Sequence, residues 1–183
     1  MVPEIGSGKN HLPRQKANDV AVALFLQVGD VRALLGADLQ SDTASYRGWR
    51  AVVASSSRPQ ERARIFKVPH HGSKNAHHAD VWELMLEASS IAVVTPYTGG
   101  ISPLPTAADQ QRLVRLTANS AYSTAQSRGW SAPRKGQPVD RELQSKGARA
   151  IDPKVTGHIR VRRRFQGESE FRVETFDGAY QLS

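Results

Sequence analysis

A strongly apolar segment near the start of the chain, residues 18–28, predicts a β-strand. The residues on one face are Val20, Val22, Leu24 and Leu26. The opposite face is apolar as well, so we expect a strand that is covered on both sides. Gly29-Asp30 predicts a tight turn, and residues 31–36 then return as the second strand of a hairpin. The pattern places Asp38 in the loop that follows this second strand.

Helical and extended patterns alternate along the next part of the chain. We predict helices at residues 41–55, 80–89 and 106–116, and strands at residues 63–68, 90–95 and 121–125. Ser41 or Asp42 is expected to cap the first helix, and Thr106 the last, with Asp109 in its first turn. Trp49 and Trp82 recur at helical spacing and are predicted core residues. This order predicts an α/β (α+β) fold in which helices pack on a mixed sheet.

The remaining segments have a different composition. Residues 1–17 form an irregular lead-in with two prolines, and residues 126–154 are rich in Ser, Gly, Pro, Lys and Arg, which predicts a loop. Residues 155–183 predict a C-terminal β-hairpin that belongs to the same domain as residues 18–125. One domain with its own core suits a chain of 183 residues.

Composition limits the kinds of site that this chain can form. The absence of cysteine excludes disulfides and thiolate zinc sites, so a metal ion must be held by histidine and carboxylate. No apolar run approaches the roughly 18 residues of a membrane span, and the N-terminal residues do not have the pattern of a signal peptide. We therefore expect no membrane span and a cytoplasmic location.

The formal net charge of +8 favours an anionic partner such as nucleic acid, a nucleotide or a membrane surface. Many soluble domains are basic without a specific partner, so charge alone leaves this question open.

The segment with the most distinctive chemistry is residues 64–75, in which an apolar run ends in two consecutive histidines. His70 and His71 precede a turn at Gly72-Ser73, and neutral imidazole is a common metal ligand. A side-chain site at the end of a buried strand is held by a rigid scaffold. We expect Asp38 and His70 to meet in one metal site.

Two segments resemble the second half of a metallo-β-lactamase-fold hydrolase, most closely the ComEC-like branch of competence DNA-uptake proteins. They are Leu34-Leu35-Gly36-Ala37-Asp38 and Lys67-Val68-Pro69-His70-His71-Gly72-Ser73. The resemblance covers residues 18–124 and implies an αββα sandwich with Asp38 bridging two metal ions. It also implies that His70 ligates one ion, with His71 as the alternative, and that the ions are Zn or Mn. The implied reaction is phosphodiester hydrolysis by metal-activated water.

The sequence also departs from that family. The His-x-His-x-Asp-His cluster of the first half is missing, and His11 is the only histidine before Asp38. Ala37 stands where the family prefers glycine, and residues 102–105 lack the family's later histidine. Three interpretations follow: a C-terminal fragment of a hydrolase, one half of a split enzyme that needs an N-terminal half, or an inactive binding or scaffolding module.

Other polar residues are candidates for contact with an anionic substrate. Lys67 and Ser73 flank the two histidines and are candidates for contact with substrate phosphate, although Lys67 is equally interpreted as an ordinary lysine at a strand end. Arg160, Arg162 and Arg164 line one face of the predicted C-terminal hairpin, where they would follow a nucleic-acid backbone. Alternatively, Glu168, Glu170 and Glu174 neutralise these arginines across the hairpin. His77-His78 is predicted to be a solvent-facing pair rather than a second metal site.

Overall fold

The computed structural model describes residues 18, 21–41, 44, 46–99, 102–126, 157–163 and 170–183. The strands are β1 (Leu24–Val28), β2 (Val31–Leu35), β3 (Ala63–Lys67), β4 (Leu86–Val94), β5 (Ala121–Ser123), β6 (His158–Arg162), β7 (Arg172–Phe176) and β8 (Tyr180–Gln181). The helices are α1 (Gly48–Ala54) and α2 (Ala107–Leu116), with single 3₁₀ turns at His70–Gly72 and Lys74–Ala76 and a π-helical turn at Val81–Met85.

Six of these strands form one mixed sheet in the order β1-β2-β3-β4-β5-β8. Strands β2 to β5 are parallel, and the antiparallel strands β1 and β8 lie at the two edges. Strands β6 and β7 form a separate antiparallel hairpin. The α/β class predicted from the sequence is confirmed, and so is the C-terminal hairpin. The second large sheet of an αββα sandwich is not among the described residues and stays a prediction.

Helices cover one face of the six-stranded sheet and form the core with it. Leu34, Phe66, Ala92 and Ala121 are register partners on this face and are all buried. The Phe66 ring meets Trp49 of α1 edge-on at a centroid distance of 6.5 Å and Trp82 at 5.2 Å. The predicted core position of Trp49 is confirmed, since its side chain is 0% exposed.

The other face of the sheet is open at β1, which contradicts the expectation that this strand is covered on both sides. The exposed fractions are 69% for Val22, 50% for Leu24, 46% for Leu26 and 68% for Val28. Ala23 and Phe25 on the opposite face do pack against the core. Alternation of apolar residues identifies the two faces of a strand, but it does not reveal whether a second layer covers each of them.

Two predicted helices are shorter in the structure. The helix predicted at residues 41–55 begins only at Gly48, because Ser41 instead forms a bridge with Gly48 and donates its hydroxyl to the His77 carbonyl at 2.9 Å. Ser41 therefore does not cap the helix. The helix predicted at residues 80–89 ends at Met85, because Leu86 is buried and starts β4 beside Ala63.

The other predicted elements agree with the structure except at their ends. Helix α2 begins with the expected capping box, in which the Thr106 hydroxyl accepts from Asp109 N and the Asp109 carboxylate accepts from Thr106 N. Strand β8 is only two residues long and has no counterpart in the predicted elements. The loop predicted at residues 126–154 lies, after residue 126, outside the described residues.

Candidate metal centre

The loops that carry Asp38 and His70 meet at one edge of the sheet. They follow β2 and β3, which are parallel neighbours, so their carboxyl ends lie side by side. Gly36 N donates to the Lys67 carbonyl at 3.0 Å, and His70 N donates to the Ala37 carbonyl at 3.0 Å. A β-carbon at Gly36 would lie 2.9 Å from the β-carbon of Pro69, so only glycine allows this close approach.

The backbone at this edge is strained. Ala37, His70 and His71 have φ values of 44°, 45° and 56°, in the left-handed region that costs non-glycine residues roughly 1–2 kcal/mol each. Gly72 follows with φ 79°. Strain of this kind accumulates at functional sites, where the surrounding structure holds it in place. The concentration of such residues around Asp38 therefore favours a functional role for the edge.

His71 is the histidine nearest Asp38, and its ring is held in one orientation. Its Nδ1 donates to the Thr95 carbonyl at 2.8 Å, and its ring stacks on Tyr97 at a centroid distance of 5.1 Å. These contacts fix the ring and leave Nε2 as the unprotonated nitrogen of the neutral imidazole. Nε2 lies 3.8 Å from Asp38 Oδ1, and the Asp38 side chain is 51% exposed. Nε2 and the carboxylate are thus close enough to form an ion pair when the ring is protonated, or to share a cation when it is neutral.

His70 lies beside this pair but is held by amides. Its Nδ1 is 3.1 Å from Asn18 Nδ2, and its Nε2 is 3.1 Å from Gln40 Nε2. Burial lowers the pKa of His70, the Asp38 charge opposes this shift, and His71 adds to it, so the ring is neutral near pH 7. The sequence favoured His70 as the ligand, whereas the structure places His71 nearest Asp38. Asn18 and Gln40 carry no motif that would have identified them.

Lys67 and Ser73 occupy the two ends of the histidine segment. Burial lowers the pKa of Lys67, and the nearby Asp38 charge opposes this shift. Lys67 Nζ donates to the Val68 carbonyl at 3.3 Å. Ser73 is partly buried, and its backbone N–H donates to the His70 carbonyl at 3.1 Å, which closes the turn.

The described residues supply part of the ligand set that a cation site needs. They contain no group of three or more His, Cys, Asp or Glu side chains that could hold a metal ion. Asp38 and His71 supply two donors of suitable chemistry, and a catalytic zinc site takes three protein ligands. A complete site therefore needs at least one ligand from outside the described part of the chain.

The arginines of the C-terminal hairpin converge on one carboxylate. Glu174 lies 2.7 Å from Arg162 and 3.6 Å from Arg160, and it also meets Arg172 at 3.5 Å. The hydrogen bond from Arg162 lowers the pKa of Glu174, which keeps the carboxylate charged. Neutralisation across the hairpin is therefore present, but three guanidinium groups share a single acid. Arg164 and Glu168 lie outside the described residues.

Comparisons with known proteins do not assign this chain to a family. No family model, curated protein or solved structure matches it. In the part of the chain that the structure describes, no helix has the length and apolar character needed to cross a membrane.

Proposed function

We propose that this chain is the C-terminal part of a metal-dependent phosphodiesterase of the metallo-β-lactamase fold, related to the ComEC-like branch. The observation that carries the proposal is the 3.8 Å distance between His71 Nε2 and Asp38 Oδ1 on a strained strand-end turn. The remaining ligands come from an N-terminal half, as in the family that the two motifs resemble. Zn or Mn suits a set of imidazole and carboxylate donors.

Each residue near the site has a separate role in this proposal. Asp38 and His71 would hold the cation, whose chemistry is to lower the pKa of a bound water so that hydroxide forms near neutral pH. The Thr95 carbonyl orients His71 by accepting from Nδ1. His70 stays neutral and ties the turn to Gln40. The Lys67 ammonium, close enough to Asp38 for their charges to interact, would attract substrate phosphate.

The hairpin extends the substrate-binding surface towards nucleic acid. Gly157 N donates to the Thr124 carbonyl at 2.8 Å, which places the start of β6 at the same strand-end edge as the candidate centre. Thr124 follows β5. Strand β5 lies three strand spacings of about 4.8 Å from β2, so the two strands are roughly 14 Å apart. Strand β6 leads from there to the opposite end of the sheet, where Arg163 lies 2.5 Å from Asp30 in the β1–β2 turn. Arg160 and Arg162 would therefore contact the phosphates of a nucleic acid that extends away from the centre along β6.

The test is hydrolysis of a single-stranded oligonucleotide by the chain expressed with any coding sequence that lies in frame upstream. With Mn²⁺ or Zn²⁺ added, Asp38→Asn and His71→Gln should each lower the rate by at least about 10- to 100-fold. Asp177→Asn, at an exposed turn, is the matched control and should retain the wild-type rate. Activity that persists in both site variants would show that the site is assigned wrongly.

A second candidate function is that of an inactive scaffolding half-domain that docks on a partner chain. The exposed apolar residues of β1 favour it, because an edge strand with unpaired backbone groups accepts a further strand. Leu24→Ser with Leu26→Ser should then abolish association with that partner in sedimentation velocity, while hydrolysis is absent with and without metal. Hydrolysis that depends on Asp38 would contradict this candidate.

A third candidate is nucleic-acid binding without catalysis, favoured by the excess of guanidinium groups around Glu174. Affinity for single-stranded DNA should fall steeply with salt. Arg160→Ala with Arg162→Ala should reduce the slope of log K against log salt by about 1.4, at 0.7 for each phosphate contact. Arg115→Ala, on the exposed side of α2, is the control. An unchanged slope in the double variant would exclude the hairpin as the binding surface.

A further inference from the structure

One face of the β6–β7 hairpin carries two rings at one end and guanidinium groups along the rest. Residues directly opposite each other in an antiparallel pair share a face, and alternate residues along each strand do so too. Three cross-strand pairs therefore share this face: His158 with Phe176, Arg160 with Glu174, and Arg162 with Arg172. Successive pairs are about 6.8 Å apart, because each strand rises about 3.4 Å per residue.

The arginines of this face remain accessible although they share one carboxylate. The side chains of Arg160, Arg162 and Arg172 are 48%, 52% and 76% exposed, whereas the Glu174 side chain between them is 19% exposed. A single carboxylate offsets one of the three guanidinium charges, so these four side chains together stay positively charged. Exposed guanidinium groups of this kind donate to phosphate oxygens.

The two rings form a stack with the first of these arginines. The His158 ring lies on the Phe176 ring at a centroid distance of 4.3 Å and an interplanar angle of 12°. The Arg160 guanidinium carbon lies 4.9 Å from the Phe176 centroid. His158 is exposed, and one face of its imidazole contacts Phe176, so its accessible surface includes the opposite face. A planar ligand can therefore extend the stack by one member.

An accessible ring beside a row of phosphate donors suits an unpaired nucleotide strand. Bases of a single strand stack on aromatic side chains with little regard to sequence, because every base has a π-face. The bases of a duplex are already stacked on one another, so their faces do not reach a side chain on a flat ribbon. The spacing of the cross-strand pairs is also close to the separation of successive phosphates in an extended single strand.

We propose that this face of the hairpin binds single-stranded nucleic acid, with one base stacked on His158 and the adjoining phosphates on Arg160, Arg162 and Arg172. The inference rests on the proposed action on nucleic acid, to which it adds an unpaired strand and a base-binding position. Gly157 N donates to the Thr124 carbonyl, so the rings lie at the end of the hairpin nearest the strand-end edge. The stacked base is thus on the side of the candidate centre, and the phosphates lead away from it.

The test is binding of a short oligothymidine to the purified chain, measured by fluorescence anisotropy in the presence of EDTA. An oligonucleotide with abasic sites in place of the thymines keeps its phosphates but loses stacking, so it should bind at least about 5-fold more weakly. His158→Ala should bind the intact strand as weakly as the wild type binds the abasic strand, and it should show no further abasic loss. His158→Tyr keeps a planar ring and should restore the difference.

Tyr46→Ala is the matched control, because the Tyr46 ring is 73% exposed and lies against Arg47 much as Phe176 lies against Arg160. This variant should keep both affinities, and His158→Ala should not change the affinity for a duplex of the same length. Equal binding of intact and abasic strands by the wild type would overturn the proposal, as would an abasic loss that persists in His158→Ala. Because the assay contains no metal, failure of the hydrolase proposal leaves its result unchanged.

Discussion

At its β1 edge, the six-stranded sheet has two faces that differ sharply in how they are covered. On one face Leu34, Phe66, Ala92 and Ala121 are buried under helices, with Trp49 filling the centre. On the other face Leu24 and Leu26 of the edge strand remain about half exposed although they are equally apolar. Ile91 of β4, which lies on the same face in register with Leu26, is 5% exposed. The exposed apolar surface therefore belongs to the β1 edge, where it offers a surface for a further layer of protein.

This difference agrees with the incomplete candidate centre. At the strand ends of the same sheet, the described residues contain no group of three or more possible metal ligands, and Asp38 and His71 form a pair. The proposed N-terminal half would account for both the exposed β1 edge and the missing ligands. Variants of the buried core and of the exposed β1 edge test this difference.

The largest expected effect is a difference in stability between matched core and open-face truncations. Phe66→Ala should lower the free energy of unfolding by about 3–5 kcal/mol, because it empties the contact with Trp49 and Trp82. Leu26→Ala should lower it by less than about 1 kcal/mol, since this side chain is 46% exposed. Urea unfolding monitored by circular dichroism measures both. Equal losses would mean that the open face is covered in solution.

The second-largest expected effect on stability concerns Asp109, which holds the start of helix α2 through hydrogen bonds. Burial opposes ionisation of Asp109, but hydrogen bonds from Thr106 and Arg112 outweigh it and lower the pKa of Asp109 below its ordinary value of 3.8. The carboxylate therefore stabilises the fold at higher pH, and this contribution is lost as the pH falls below about 4 through the folded-state pKa.

Asp109→Ala leaves Arg112 without its carboxylate partner and should lower the free energy of unfolding at pH 7 by about 3 kcal/mol. Asp80→Ala, whose carboxylate is about half exposed, is the control and should change it by less than about 0.5 kcal/mol. Denaturation at pH 7 and pH 3 tests both statements. A loss from Asp109→Ala that is the same at both pH values would contradict the assigned ionisation.

The smallest expected effect on stability is at Ala37, in the strained loop that follows β2. Ala37 is exposed and has φ 44°, so Ala37→Gly should raise the free energy of unfolding by about 0.5–1 kcal/mol after the greater freedom of glycine in the unfolded chain is included. Ala107→Gly, in the first turn of a regular helix, should instead lower it. Thermal unfolding of the two variants provides the measurement, and destabilisation by Ala37→Gly would show that the edge is not strained.

The sequence predicted the elements of this fold well where periodicity and local chemistry agree. The hairpin around Gly29, the capping box of Thr106 and Asp109, and the burial of Trp49 all follow from rules that act within a few residues. The helix at residues 41–55 was predicted too long, because Ser41 is paired with Gly48 and with the His77 carbonyl. Contacts between distant segments of this kind have no signature in local sequence.

The candidate site was predictable as a pair of segments but not in its detail. Parallel strands followed by Asp38 and by His70-His71 place these loops together. Which histidine faces Asp38 depends on left-handed backbone angles and on the Thr95 carbonyl. His77 and His78 were expected to face solvent, yet both are partly buried and line a cavity, because the segment that carries them folds back against α1 and α2.

The most direct test of the central claim is cation binding by the chain itself, measured by electron paramagnetic resonance during titration with Mn²⁺. The account predicts weak binding that both Asp38→Asn and His71→Gln abolish, because a two-donor site loses half of its ligands in either variant. Asp177→Asn should bind as the wild type does. Binding that survives in both site variants, or that the control also loses, would contradict the assignment of Asp38 and His71 as metal ligands.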